Sequence, residues 1–148
     1  KMEGHVSISP LKDNESCQPT QAILLTSSYC IDPMQLGDQN QVRTALLGLK
    51  NCRFREVDGV SEVEFRNELF SVSKHKGKYP QLFIHRFSKE QYYQKSTIIF
   101  VGLWAQIEKL IENDAIIIEK ELPDYKDLPV DDIKGLKDVL IECFEDCE

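Results

Sequence analysis

The chain has 148 residues, of which 41% are apolar and 29% charged, and its net charge is −7. That length suffices for one domain with a core of its own, and the negative balance excludes general binding to nucleic acid or an anionic membrane, both polyanions. No apolar run approaches the roughly 20 residues that span a bilayer, and the polar N-terminus reads as carrying no secretory leader.

Residues 1–20 mix Gly, Pro, Ser, Asn and Asp without periodicity and are expected to form a polar arm. Ala22-Ile23-Leu24-Leu25-Thr26 is a continuous apolar run, the mark of a strand buried on both faces. A loop punctuated by Pro33 and Gly37 follows, and Asp38 is expected to cap a helix. Val42, Ala45, Leu46 and Leu49 give that helix one apolar face. Cys52 to Val57 alternates and predicts a second strand, closed by Asp58-Gly59. Ser61-x-x-Glu64 fits a capping box for a helix with Phe65, Leu69 and Val72 on one side.

Lys74, His75, Lys76 and Lys78 form a basic run that ordinary surface solvation explains. Gln81 to His85 is a third predicted strand, with Pro80 at its entry, where a missing N–H is tolerated. Residues 86–96 read as a long turn carrying Tyr92 and Tyr93. Thr97 to Val101 is a fourth strand, broken by Gly102. Leu103, Ile107, Leu110 and Ile111 predict a helix ending near Asn113. The order β-α-β-α-β-β-α implies a mixed four-stranded sheet with helices on both faces, its first two strands parallel and its last two antiparallel.

Residues 115–148 form an acidic extension beyond a 21–114 domain. It holds a short apolar run at Ala115 to Glu119, then Pro123 and Pro129. Ile133, Leu136, Leu140, then Cys143 or Phe144, and Cys147 follow as the stripe of an amphipathic last helix. That stripe can pack on its own domain or dock on a partner, and the expected partner surface is Ile133, Leu136, Leu140 and Phe144 together with the N-terminal arm. Two such extensions fit a subunit of a larger protein assembly, for instance a cytoskeletal or ciliary one.

The five cysteines (Cys17, Cys30, Cys52, Cys143, Cys147) are odd in number, contain no C-x-x-C, and read as reduced thiols of a cytoplasmic protein. Cys52 falls with inward residues and is expected in the core. The scattered histidines offer no metal-ligand spacing, so neither a metal nor a resident cofactor is expected. Asp131-Asp132 reads as first-turn helix charge.

Lys78-Tyr79-Pro80-Gln81-Leu82-Phe83 resembles the Y-P-Q segment of glutaredoxins, whose proline is cis and faces the active site. Phe100-Val101-Gly102 ahead of Leu110 and Glu112 resembles the turn after their last strand. Asn40-Gln41-Val42-Arg43, Leu46-Leu47, Lys50-Asn51 and Glu56-Val57-Asp58 are similar to the SH3-domain-binding glutamic-acid-rich-like proteins, glutaredoxin relatives without the catalytic cysteine pair. The resemblance covers about residues 21–113. It departs in three places: the extra prolines before Gln81 are absent, Leu103-Trp104 stand where active glutaredoxins carry an acidic pair, and no P-x-x-P occurs. It implies a thioredoxin-like α/β fold, a cis Pro80, and a ligand or partner groove at Lys78, Tyr79 and Pro80.

Two functions follow from it. One is a non-catalytic binding or structural module. The other is a monothiol, glutathione-dependent oxidoreductase in which Cys30 is the nucleophile and glutathione lies along Tyr79. A dithiol enzyme needs a resolving cysteine two residues from the first, and the loop Ser27-Ser28-Tyr29-Cys30 has none. Trp104 stands either over the groove or in the core.

Overall fold

Four consecutive residues, Ala22, Ile23, Leu24 and Leu25, have no exposed surface. They belong to strand β2 (Gln21–Thr26), which has hydrogen-bonded neighbours on both sides. The computed structural model describes residues 5–11, 17–29, 32–120 and 133–145, and builds around β2 a single five-stranded sheet with the order β1-β5-β4-β2-β3. The elements are β1 (His5–Pro10), β2, helix α1 (Pro33–Leu47), β3 (Phe54–Asp58), α2 (Val63–Ser73), β4 (Gln81–Glu90), β5 (Tyr93–Leu103), α3 (Trp104–Lys120) and the short α4 (Leu136–Val139). A 3₁₀ turn, Ile141–Cys143, ends the described chain's regular structure. β2 and β3 run parallel across the α1 crossover, and every other pair is antiparallel.

Because side chains alternate along a strand, β2 feeds two cores. Ala22 and Leu24 meet Val42 and Leu46 of α1, Ile107 of α3, and Leu136, Leu140 and Cys143 of the C-terminal segment. Ile23 and Leu25 meet Val57, Leu69, Phe70, Phe83 and Ile98 on the opposite, α2 side.

The strand count is five, where the sequence predicts four. His5–Pro10, expected as part of a polar arm, pairs with β5 from His5↔Ile98 to Pro10↔Tyr93. Its Val-x-Ile alternation is too short and too polar to stand out beside the longer apolar runs. Residues 86–96 are not a long turn either. β4 and β5 continue in register to Glu90↔Tyr93, closed by the two-residue turn Gln91-Tyr92 with Gln91 at φ 55°. The polar composition there reflects a part of the sheet that extends past the helices, so neither face demands apolar residues.

Helix ends also shift. α1 begins at Pro33, with Asp32 rather than Asp38 as its cap; the Asp32 carboxylate accepts from Met34 N at 3.0 Å. Asp followed by Pro is the combination favoured at Ncap and N1, and Gly37 inside the helix costs only about 1 kcal/mol relative to Ala. The predicted Ser61–Glu64 capping box does not form: the N-cap of α2 is Glu62, and Ser61 Oγ donates to the Asp58 carbonyl. α3 passes Asn113 and absorbs Ala115 to Glu119. Trp104, at its start, packs against the α1–α3 core.

The expected partner stripe is corrected most. Leu136 and Leu140 are 1% and 0% exposed in the molecule's own core, with half-buried Phe144 packed against them. The helix is a single turn rather than a long amphipathic one. Its backbone is tied down: Arg53 N donates to the Cys143 carbonyl and Glu145 N to that of Asn51, both at 2.8 Å. Arg86 holds the Glu142 carboxylate through two bonds of 2.7 and 2.6 Å. Ile133 is half-buried, and Cys147 lies outside the described residues. Burial has therefore already used the stripe. Replacing Leu140 by Ala should cost about 2–5 kcal/mol in urea unfolding, the range for a fully buried leucine. A free docking helix would lose under ~0.5 kcal/mol.

Candidate functional site at the Pro80 end of the sheet

Parallel pairing sets the C-terminal ends of β2 and β3 side by side. The pairing of Gln81 with both Leu25 and Leu103 brings the entry of β4 and the exit of β5 to the same end. Pro80 thus stands level with Thr26, and the Tyr79–Pro80 bond is cis as the resemblance implies. Pro80 is buried and Tyr79 half-buried, its ring edge-on to Phe70 with centroids 6.0 Å apart. Lys78 is exposed, as are Lys74 and Lys76.

Gln81 orders this turn. It is fully buried, and its amide nitrogen donates to the carbonyls of His75 (2.7 Å) and Lys78 (2.8 Å), fixing the loop between α2 and β4. Lys74 (φ 65°) and Gly77 (φ 80°) supply the left-handed backbone that the turn needs. Gly59 faces the Tyr79 ring so closely that an added Cβ would meet the phenolic oxygen at 2.8 Å.

The β2 exit is bound by side-chain acceptors. Ser27 N donates to buried Gln39 Oε1 at 2.6 Å, and Ser28 N to Asp58 Oδ1 at 3.0 Å. Asp58 Oδ1 also accepts from Val60 N. These backbone donors, Ser28 first, hold the Asp58 carboxyl below its ordinary range. Thr26 Oγ1 donates to Glu56 at 2.8 Å, and Arg43 grips the same carboxylate with bonds of 2.6 and 2.7 Å. The Arg43 guanidinium lowers the Glu56 pKa. Asp38 is pushed up, by burial first and then by Asp32. Asp58 thus holds the Ser28 end of the β2 exit, and Asp32 caps the start of α1. Cys30 itself lies outside the described residues.

The structure brings together Lys78, Tyr79 and Pro80, leaves Leu136, Leu140 and Phe144 in or against the core on the face served by α1 and α3, and leaves Ile133 half-buried. The thiols of that face are held in their protonated form. Burial raises Cys52, and raises Cys143 to about 12. His85, on the α2 face, shares a 2.6 Å bond with Ser96 through Nε2, and burial brings it down to about 4, so it is neutral at pH 7. Sequence reasoning missed Gln39, the Arg43–Glu56 pair and the anchoring role of Gln81. Each acts on a residue of another element or through a carbonyl, and no spacing along the chain encodes that. Among the described residues no group of three or more His, Cys, Asp or Glu could hold a metal ion.

Comparison with protein-family models, with curated proteins and with solved structures finds no match to this chain.

The Arg43–Glu56 pair gives a pH test. Glu56 has a folded pKa below its ordinary 4.5. Its stabilisation is complete above pH 4.5 and is lost as the pH falls through the depressed value. Glu56→Gln should cost up to about 1 kcal/mol at pH 7, after discounting for solvent screening of a pair about one-third exposed. The difference from the parent should shrink as the pH falls below 4.5 and Glu56 protonates, read in urea titrations.

Proposed function

We propose that the chain is a non-catalytic, thioredoxin-like binding module, a subunit or adaptor that offers surfaces to a protein partner. The observation that carries this reading is the pair of carboxylates at the β2 exit: Asp32 caps the first turn of α1, and Asp58 accepts from Ser28 N. A thioredoxin-like enzyme needs a thiolate, and thiolates form beside cations or bare helix N-termini. Here α1's first turn is capped by a carboxylate, which opposes the ionisation of a thiol brought to that end. The strand order β3-β2-β4-β5, with one parallel and two antiparallel pairs, agrees with the topology that the resemblance implies.

One observation favours the second reading, a monothiol oxidoreductase using Cys30 and glutathione. α1 starts at Pro33, only three residues past Cys30 and far nearer than an Asp38 start would place it. A helix N-terminus stabilises an anion, but only within its first turn, and the Asp32 carboxylate occupies that end of α1.

A glutathione-coupled disulfide-reduction assay decides between them. The module reading expects the parent and Cys30→Ser to be equally silent, and Cys30 to alkylate with a midpoint at or above ~8.5. Turnover that Cys30→Ser abolishes would overturn it.

A further inference from the structure

The described residues do not fully cover the sheet face that carries α1 and α3. A groove of about 490 Å³ opens there. Its floor is Ile84 of β4 with Ile99 and Val101 of β5, and its walls include Lys109 and Leu110 of α3 and Val139 of α4. The apolar surface continues outward. Val6 pairs with Thr97 and Ile8 with Lys95, which puts Val6 and Ile8 on the same face as Ile99. They are 50% and 65% exposed. Arg86, paired with Thr97, confirms the assignment by reaching Glu142 on that side.

Width explains the gap. Strands lie about 4.8 Å apart and a helix with its side chains is about 10 Å across. Two helices, α1 and α3, are therefore too narrow to cover all five strands. A third helix laid beside α3 would complete the layer.

Charge selects the occupant. Among the described residues no carboxylate lines the groove, and the charged residue that does is Lys109. Lys95 stands next to Ile8 on the adjoining surface. Neither lysine has an ion pair among the described residues, in a chain of net charge −7. A second copy docking face to face by two-fold symmetry would set two lysine-bearing surfaces against each other, with no carboxylate among the described lining of either groove, which opposes it. We propose that this face seats an amphipathic helix of a protein partner, apolar along one side and acidic along its flanks, held by anchors at i, i+3, i+4 and i+7. The proposal rests on the binding-module reading and names its partner class.

The test uses the full chain and a fluorescein-labelled helical peptide of about four turns, with leucines at the anchor spacing and glutamates on both flanks. Anisotropy should show saturable binding, at least about tenfold weaker for the same peptide with lysine flanks or in scrambled order. Ile8→Asp and Lys109→Glu change exposed positions and should keep the parent's circular dichroism and melting curve. Each should weaken the acidic peptide by about tenfold, and Lys109→Glu should also improve the lysine-flanked one. Absent or unsaturable binding, or binding indifferent to both substitutions, would overturn the proposal. So would self-association in light scattering that Ile8→Asp abolishes, since a second copy would then occupy the face. Failure here with a silent disulfide assay removes only the helix site, whereas thiol turnover removes the reading beneath it.

Discussion

Burying both faces of β2 at once is the constraint on which the rest depends. A strand with Ala22 to Leu25 wholly inaccessible needs cover above and below and a hydrogen-bonded neighbour on each side, because unpaired backbone in an apolar interior is costly. β3 and β4 supply the neighbours. α2 covers one face. On the other, α1 and α3 leave a space that Leu136, Leu140 and Cys143 fill. Arg53 clamps this arrangement at the β2 entry, donating from its side chain to the carbonyls of Thr20 and Glu142 while its backbone N–H meets that of Cys143. The C-terminal segment is thus the last piece of the core.

That arrangement determines what surface remains. With the terminal stripe consumed, the apolar area still open lies over β4, β5 and β1. The two sheet edges differ in kind. β3 carries Arg55, Glu56 and Asp58, with Arg55 paired to Glu62 and Glu56 to Arg43, the charged guarding typical of an edge that stays solitary. β1 carries Val6 and Ile8 and no Lys, Arg, Asp or Glu. The Pro80 end differs again: its backbone donors are already taken by Gln39 and Asp58, so it is a rigid, prearranged corner.

Much of the fold was legible where periodicity reports burial. The doubly buried β2, the apolar face of α1, the buried start of β4 and the parallel crossover all follow from residue spacing. Legibility failed where burial is one-sided or absent. The outer halves of β4 and β5 are polar where the sheet passes the helices, and β1 offers only Val6 and Ile8, so alternation carries little signal. The spacing makes α1 and α3 too short because Gly37 and Asn113 resemble ends, although neighbouring packing outweighs such modest propensities. At the site, Tyr79-Pro80 was readable as a motif. The amide of Gln81 and the carboxylates of Asp58 and Glu56 were not, since their partners come from other elements.

Native-state hydrogen exchange tests most directly the claim that the C-terminal segment belongs to the core. The amides of Arg53, Leu140 and Glu145, bonded to Cys143, Leu136 and Asn51 respectively, report on the docked segment, and that of Leu24 reports on the central strand. If the account holds, the Leu140 and Arg53 amides open only with Leu24, at the free energy of global unfolding. Exchange of Leu140 and Arg53 several kcal/mol below Leu24 would contradict it, because the segment would then undock from a core that stands without it.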